Sequence, residues 1–485
     1  MTRLLAKLII SRKAGLATRA CMAKQSSMKI HIAFALLASA AALPAFATTI
    51  TPEADPVQIA LEHDKIAWEI TEGLTTEVGA RQGGTEAEAR GRAWALAYLR
   101  KAGFANVREE AFDMPTWVRG EERAWVVSPF PQKFAITALG NSSSTGDAGL
   151  EAEVAYFPTV DALRAAPDGS LTGKIAFVNH NMQPTQDGSS YGAFGVARFA
   201  GPNIAAKKGA LAIVIRSIGT DHNHRNPHTG NTNFEAGVNP IPAAALSIPD
   251  ADNLARMIQR GKPVTLRLLL TPQNIGMQKS GNVIAELPGS NTALPPIVIA
   301  CHLDSWDLGT GAIDDAAGCG IITAAASAIK GMKRKRTIRL LWAGAEEVGI
   351  WGGKAYAEAN KTVPHALAME SDFGADRVWR VDFRLPESAK PLADRIAARL
   401  APLGIGRGKD AASGGADVGA IIAAQNLGVI DLQQDGRRYF DLHHTPDDTL
   451  SMIDKAQLRQ NVAAWTAVLS ELANYEGELT IAPKP

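Results

Sequence analysis

Several short runs of this chain are almost wholly apolar, and that pattern restricts the fold more than any other feature. Residues 297–300 (Ile-Val-Ile-Ala) and 210–215 (Ala-Leu-Ala-Ile-Val-Ile) contain no polar side chain, and 243–248, 337–342, 367–369 and 427–432 come close. A strand with one face in water alternates polar and apolar residues, whereas a strand covered on both faces has no reason to. An Ala-rich helical stretch at 318–329 and further helical segments separate the runs, and Pro288-Gly289-Ser290-Asn291 supplies a turn between strands at 282–287 and 297–300. This order predicts an α/β fold: a mostly parallel mixed sheet with helices on both faces. In such sheets ligands bind beyond the carboxyl ends of the strands.

The chain has 485 residues, more than one hydrophobic core usually organises, so a large domain and a smaller one are expected. Near the start, Ile59, Ala60, Ile66, Ile70 and Leu74 recur at helical spacing, as do Ala93, Leu96, Ala97 and Leu99, with a Gly-rich loop at 79–85 between them and an extended segment at 107–114. In the middle, a strand at 174–179, a helix closing on Lys207-Lys208-Gly209, apolar strands and an Asn/His/Gly/Pro-rich loop at 220–240 suggest a compact inserted subdomain.

Lysine and arginine total 50 against 49 acids, a balance that gives no footprint for nucleic acid. Residues 1–47 carry seven basic residues and no acid. From Met28 a lysine, an apolar run at 30–43 and Ala45-Phe46-Ala47 form the three parts of a secretory signal. Residues 1–27 read as an upstream extension. The run is too short and too Ala-rich for a membrane span. Cleavage near Ala47 takes the formal charge from +1 to −6 and implies a periplasmic or secreted protein. Of three cysteines, Cys301 and Cys319 lie in the remaining chain and read as buried thiols, the alternative being a bridge between them.

Five polar clusters stand where apolar strands end: His302-Leu303-Asp304, Gly311-Ala312-Ile313-Asp314-Asp315, Ala343-Gly344-Ala345-Glu346-Glu347, Met369-Glu370-Ser371-Asp372, and His443-His444-Thr445-Pro446-Asp447-Asp448-Thr449. Carboxylates gathered at one sheet edge repel unless a cation compensates them. Zinc suits imidazole nitrogen with Asp and Glu oxygen, and two ions can share one carboxylate.

With these clusters in this order, the chain resembles the dinuclear zinc exopeptidases, the family of the secreted leucine-type aminopeptidases and aminopeptidase Y. Residues 302–315 are especially similar to its carboxypeptidase Q (plasma glutamate carboxypeptidase) branch. The resemblance covers roughly residues 55–475. It implies two zinc ions per chain, His302, Asp314 and Asp372 holding one and Asp314, Glu347 and His444 the other. It implies Glu346 as general base, Asp304 as the carboxylate orienting His302, and a cis peptide at Asp314–Asp315. It also implies a protease-associated (PA) insertion, giving a leader at 1–47, the catalytic domain at 48–140 and 276–485, and the insertion at 141–275. The expected reaction is hydrolysis of small peptides or dipeptides at their termini by metal-activated water. A homodimer is a further expectation.

Plainer readings stand beside these. Asp315 reads as a helix cap, Glu370 competes with Asp372 by spacing, and His443 competes with His444. His222, His224 and His228 read as part of a polar surface loop overhanging the cleft. The loop at 413–417 lines the substrate pocket by resemblance, or is an ordinary flexible loop. The basic run at 330–339 suits the end of a helix. Two other functions share the architecture: a one-zinc glutaminyl cyclase and a binding protein that has lost the chemistry.

Overall fold

The computed structural model describes residues 55–482; the expected leader, with Cys21, lies outside the described residues. The strands fall into two sheets. In chain order they are β1 (Ala105–Val118), then β2 (Glu122–Ser128), β3 (Gln132–Phe134), β4 (Ile136–Ala138), β5 (Leu150–Phe157), β6 (Lys174–Val178), β7 (Ala212–Arg216), β8 (Ala243–Leu246) and β9 (Thr265–Leu270), then β10 (Gln273–Leu287), β11 (Ile297–His302), β12 (Ile338–Ala343), β13 (Leu367–Glu370), β14 (Val378–Arg384), β15 (Gly406–Arg407) and β16 (Gly428–Gln434). The first sheet has the order β1-β10-β12-β11-β13-β16-β14-β15. Its centre, β12-β11-β13-β16, is parallel, with antiparallel β1, β10 and β14 towards the edges.

The apolar runs are explained by what covers the centre of this sheet. Along β11, Ile297, Ile299 and Cys301 enter a core shared with the helices Ala317–Ala328 and Lys455–Leu472. Val298 and Ala300 enter a second core with Tyr356, Val418 and Ile421. β12 divides in the same way, with Ile338, Leu340 and Trp342 on one side and Leu341 and Ala343 on the other. Each fully buried Ile, Leu or Val contributes about 1.5–3 kcal/mol, so both faces reward apolar residues. The helix Ala317–Ala328 packs closely on the helix Ile66–Gly73. A Cβ on Gly320 would stand 2.6 Å from the Ala67 carbonyl oxygen, so the approach requires glycine.

Cys301 and Cys319 form a disulfide, which corrects the expectation of two free thiols. β11 and the following helix are packed together, with the two Cα atoms 5.1 Å apart, inside the usual range for a bridge. A spacing of 18 residues in sequence carries no sign of that proximity.

The second sheet, β3-β2-β9-β5-β6-β7-β8-β4, is built from residues between β1 and β10. It takes in β2, β3 and β4, and so begins ahead of residue 141. Its interior includes Ile175, Phe177, Val214 and Leu246 against the helix Ile248–Gln259, which Ser247 caps by accepting a hydrogen bond from the Asp250 N–H. β1 and β10 pair antiparallel from Ala105 opposite Glu286 to Val118 opposite Gln273, so the chain leaves and rejoins the first sheet along one two-stranded ribbon. Residues 220–240 contain neither helix nor strand, as expected. Among the described residues no helix is long and apolar enough to cross a membrane.

Candidate metal centre

The parallel strands place their carboxyl ends along one edge, and the polar clusters follow directly. His302 closes β11 beside Ala343, the last residue of β12, and Ala300 lies opposite Glu370 at the end of β13. Glu346 and Glu347 follow β12 after Ala345, whose φ of 54° turns the chain over the sheet edge. Asp314 follows Gly311, which has a φ of 61°, and the Asp314–Asp315 peptide is cis.

The structure brings His302, Asp314, Glu347, Asp372 and His444 together. His302 Nε2 lies 3.0 Å from Asp314 Oδ1 and 3.3 Å from Asp372 Oδ1. On the other side, His444 Nε2 lies 3.4 Å from Asp314 Oδ2 and 2.9 Å from Glu347 Oε2. The two oxygens of Asp314 therefore face two different sets of groups. His443 Nε2 stands farther from Asp314 Oδ2, at 3.7 Å, with its ring stacked on that of His444.

Neighbouring atoms fix these side chains. His302 Nδ1 faces the Asp304 main-chain carbonyl at 3.0 Å, closer than the Asp304 carboxylate at 3.6 Å. That carboxylate instead accepts hydrogen bonds from the Glu346 and Glu347 N–H groups. Asp315 accepts from the N–H groups of His302 and Gly318, tying the strand end to the first turn of the helix Ala317–Ala328. Glu370 is turned away, accepting from the Asp417 and Val418 N–H groups.

The electrostatics favour a cation. Burial raises the carboxyl pKa of Glu346, Glu347 and Asp372, and neighbouring acids add to the effect. Asp314 Oδ2 and Glu347 Oε1 are buried without a hydrogen-bond partner. Unpaired buried anions are costly, and a divalent ion removes the cost. Two imidazoles with three carboxylates form a donor set suited to zinc, whereas calcium and magnesium prefer oxygen alone.

The family model described as Peptidase family M28 matches residues 282–469. Carboxypeptidase Q of Bos taurus is 34% identical over 408 residues, covering 83% of this chain and 84% of its own length. The chain belongs to peptidase family M28. The crystal structure of a Peptidase M28 precursor from Shewanella amazonensis SB2B is 43% identical, with a TM-score of 0.85, covering 89% of this chain and 98% of that one. A zinc aminopeptidase from Bacillus subtilis has the same fold, with a TM-score of 0.60 at 18% identity, covering 85% of this chain and 95% of that one. This M28 chain is a metallopeptidase.

The 220–240 loop of this M28 peptidase departs from the surface reading. His228 is buried, and burial lowers its pKa to about 3. Next to it, the Thr229 N–H donates to the His444 carbonyl, and the Thr229 carbonyl accepts from His444 Nδ1 at 3.2 Å. The loop therefore braces His444. His224 is exposed and paired with Asp221, whose carboxylate also accepts the Asn223 and His224 N–H groups. A cavity of about 440 Å³ opens over the acids, walled by Tyr191, Phe199 and Asn233 from the second sheet's side and by Lys354, Phe373 and Phe440. Residues 413–416 line an adjoining cavity of about 360 Å³ that includes Asp372. Arg81 and Arg198 also reach this region, and nothing in their sequence context marks them, whereas Asp448 belongs to the fifth polar cluster.

Proposed function

We propose that this M28 peptidase is an exported two-zinc exopeptidase that cleaves residues from the ends of short peptides or splits dipeptides. The observation that carries this reading is the shared Asp314 carboxylate, one oxygen towards His302 and Asp372 and the other towards Glu347 and His444. In this reading His302, Asp314 and Asp372 hold one ion, and Asp314, Glu347 and His444 the other. Zinc bound there supplies Lewis acidity for the attacking water and the scissile carbonyl. Glu346 lines the cavity, and burial with the neighbouring acids raises its carboxyl pKa, which favours its taking up a proton. Its carboxylate removes the proton from the attacking water and returns it to the leaving amine nitrogen. Asp304 positions the site twice, through its carbonyl to His302 and its carboxylate to the Glu346–Glu347 backbone.

The second sheet is read as a PA insertion hung between β1 and β10, and residues 1–47 as a cleaved leader. Similarity to carboxypeptidase Q favours dipeptides and short peptides as substrates. Metal analysis of the purified chain with a panel of dipeptides and aminoacyl nitroanilides tests the proposal. Two zinc ions per chain are expected, with Glu346→Gln keeping both and losing roughly 10²–10⁴-fold in kcat. A single zinc favours a cyclase, and a fully active Glu346→Gln chain rules out the base.

A further inference from the structure

Arg81 comes from the Gly-rich loop before the helix Glu86–Lys101 and is fully buried. Its Nε donates to the Leu303 carbonyl, Nη1 to the Thr310 carbonyl at 2.7 Å, and Nη2 to the Gly311 carbonyl at 2.9 Å. Its own main-chain N–H donates to Ser305 Oγ at 3.1 Å. Leu303 stands between His302 and Asp304, and Gly311 stands three residues before Asp314. One planar fork thus spans both segments that bring donor groups to the centre. From the far side, Asp448 Oδ1 accepts from the Ala312 and Ile313 N–H groups at 2.7 Å each. Asp304, Asp314, Asp315 and Asp448 surround the guanidinium, which forms its hydrogen bonds with carbonyls rather than with any of these acids.

We propose that Arg81 is a positioning residue for the metal centre, locking the segment of His302 and Asp304 to the turn of Asp314 so that their donor atoms stay at cation-holding separation. The proposal rests on the two-zinc reading. A guanidinium is needed because a lysine ammonium is a point charge that cannot reach three carbonyls in one plane. The same chain provides a comparator. Arg336 is also buried and donates to three carbonyls, those of Pro295, Tyr475 and Gly477, none of which flanks the centre.

Zinc affinity, measured by competition with a chromophoric chelator, is compared for the full wild-type chain, Arg81→Lys and Arg336→Lys, beside the unfolding temperature of each zinc-free protein. Arg81→Lys is expected to bind zinc roughly 10–100-fold more weakly, the usual effect of removing a group that orients ligands, and to lose kcat more than it raises KM. Arg336→Lys is expected to unfold earlier with unchanged zinc affinity. The proposal is overturned if Arg81→Lys holds zinc as the wild type does, or if Arg336→Lys loses as much. Should Arg81→Lys fail to fold, Ser305→Ala removes the acceptor of the Arg81 N–H, together with the hydroxyl's own hydrogen bond to the Trp306 carbonyl. Weaker zinc binding is then expected, and unchanged binding overturns the proposal. A wild-type chain that binds no zinc overturns both readings, whereas two ions with indifferent variants overturn this one alone.

Discussion

His365 is held neutral by its surroundings. Burial, and then the Arg339 charge, lower its pKa from 6.5 to about 4. Its Nε2 lies 2.8 Å from the Tyr356 hydroxyl, and its Nδ1 faces Gln425 Oε1 at 3.3 Å. Unfolding frees the imidazole to take a proton near pH 6.5. The stability it protects is therefore present above that value and lost as the pH falls towards 4. Between pH 7 and 5 the loss is about 2 kcal/mol. Urea unfolding at both pH values should show a smaller drop for His365→Gln than for the wild type; equal drops would refute the assignment. The residues of the centre differ in how plainly the sequence announces them. His302, Glu346, Glu347 and Asp372 each follow an apolar run, where an ionisable group has no structural reason to be. Arg81 and Thr229 act through main-chain atoms far along the chain, and such partners leave no mark on neighbouring residues.

Helix ends and strand edges follow a similar rule. The helix Lys455–Leu472 packs one face into the first sheet's core, and Asp454 caps it by accepting from the Ala456 and Gln457 N–H groups at 2.8 and 2.9 Å. Asp454→Ala should cost about 1 kcal/mol in denaturant unfolding and leave kcat/KM unchanged; an altered kcat/KM would tie the cap to the centre. The central strands β11, β12, β13 and β16 were legible because burial on both faces makes them largely apolar, with Arg339 in β12 and Asp431 in β16 as interruptions. β2, β5, β9 and β14 were not singled out, because they carry charged residues such as Arg123, Glu151, Arg267 and Arg380, and strand identity there depends on partners. The cis Asp314–Asp315 peptide came from family resemblance, since nothing in the residues themselves specifies it.

At the scale of the whole molecule, metal and fold are coupled, because the groups read as ligands come from five separate segments. Dialysis against a chelator should lower the unfolding temperature, and added zinc should restore it. Zinc at a hundred times its dissociation constant contributes about 2.7 kcal/mol. An unfolding temperature indifferent to zinc would mean that the acids assemble without a cation. The two-sheet division was legible only in part: the inserted strands were expected from residue 141, but pairing draws in the segment from Glu122. Arg119, between β1 and β2, binds Asp307 of the segment after β11 and Thr229 of the inserted loop, so one side chain ties the inserted loop to the segment that follows β11.

Both chain connections between the two sheets run through the β1–β10 ribbon. Each strand advances about 3.3 Å per residue and turns its side chains over at every step. Removing one facing pair would shorten the ribbon by that amount and exchange its two faces, while removing two pairs would shorten it by about 7 Å with the faces kept. A change in the length of this ribbon that preserves which side chains face the core must therefore come in even steps.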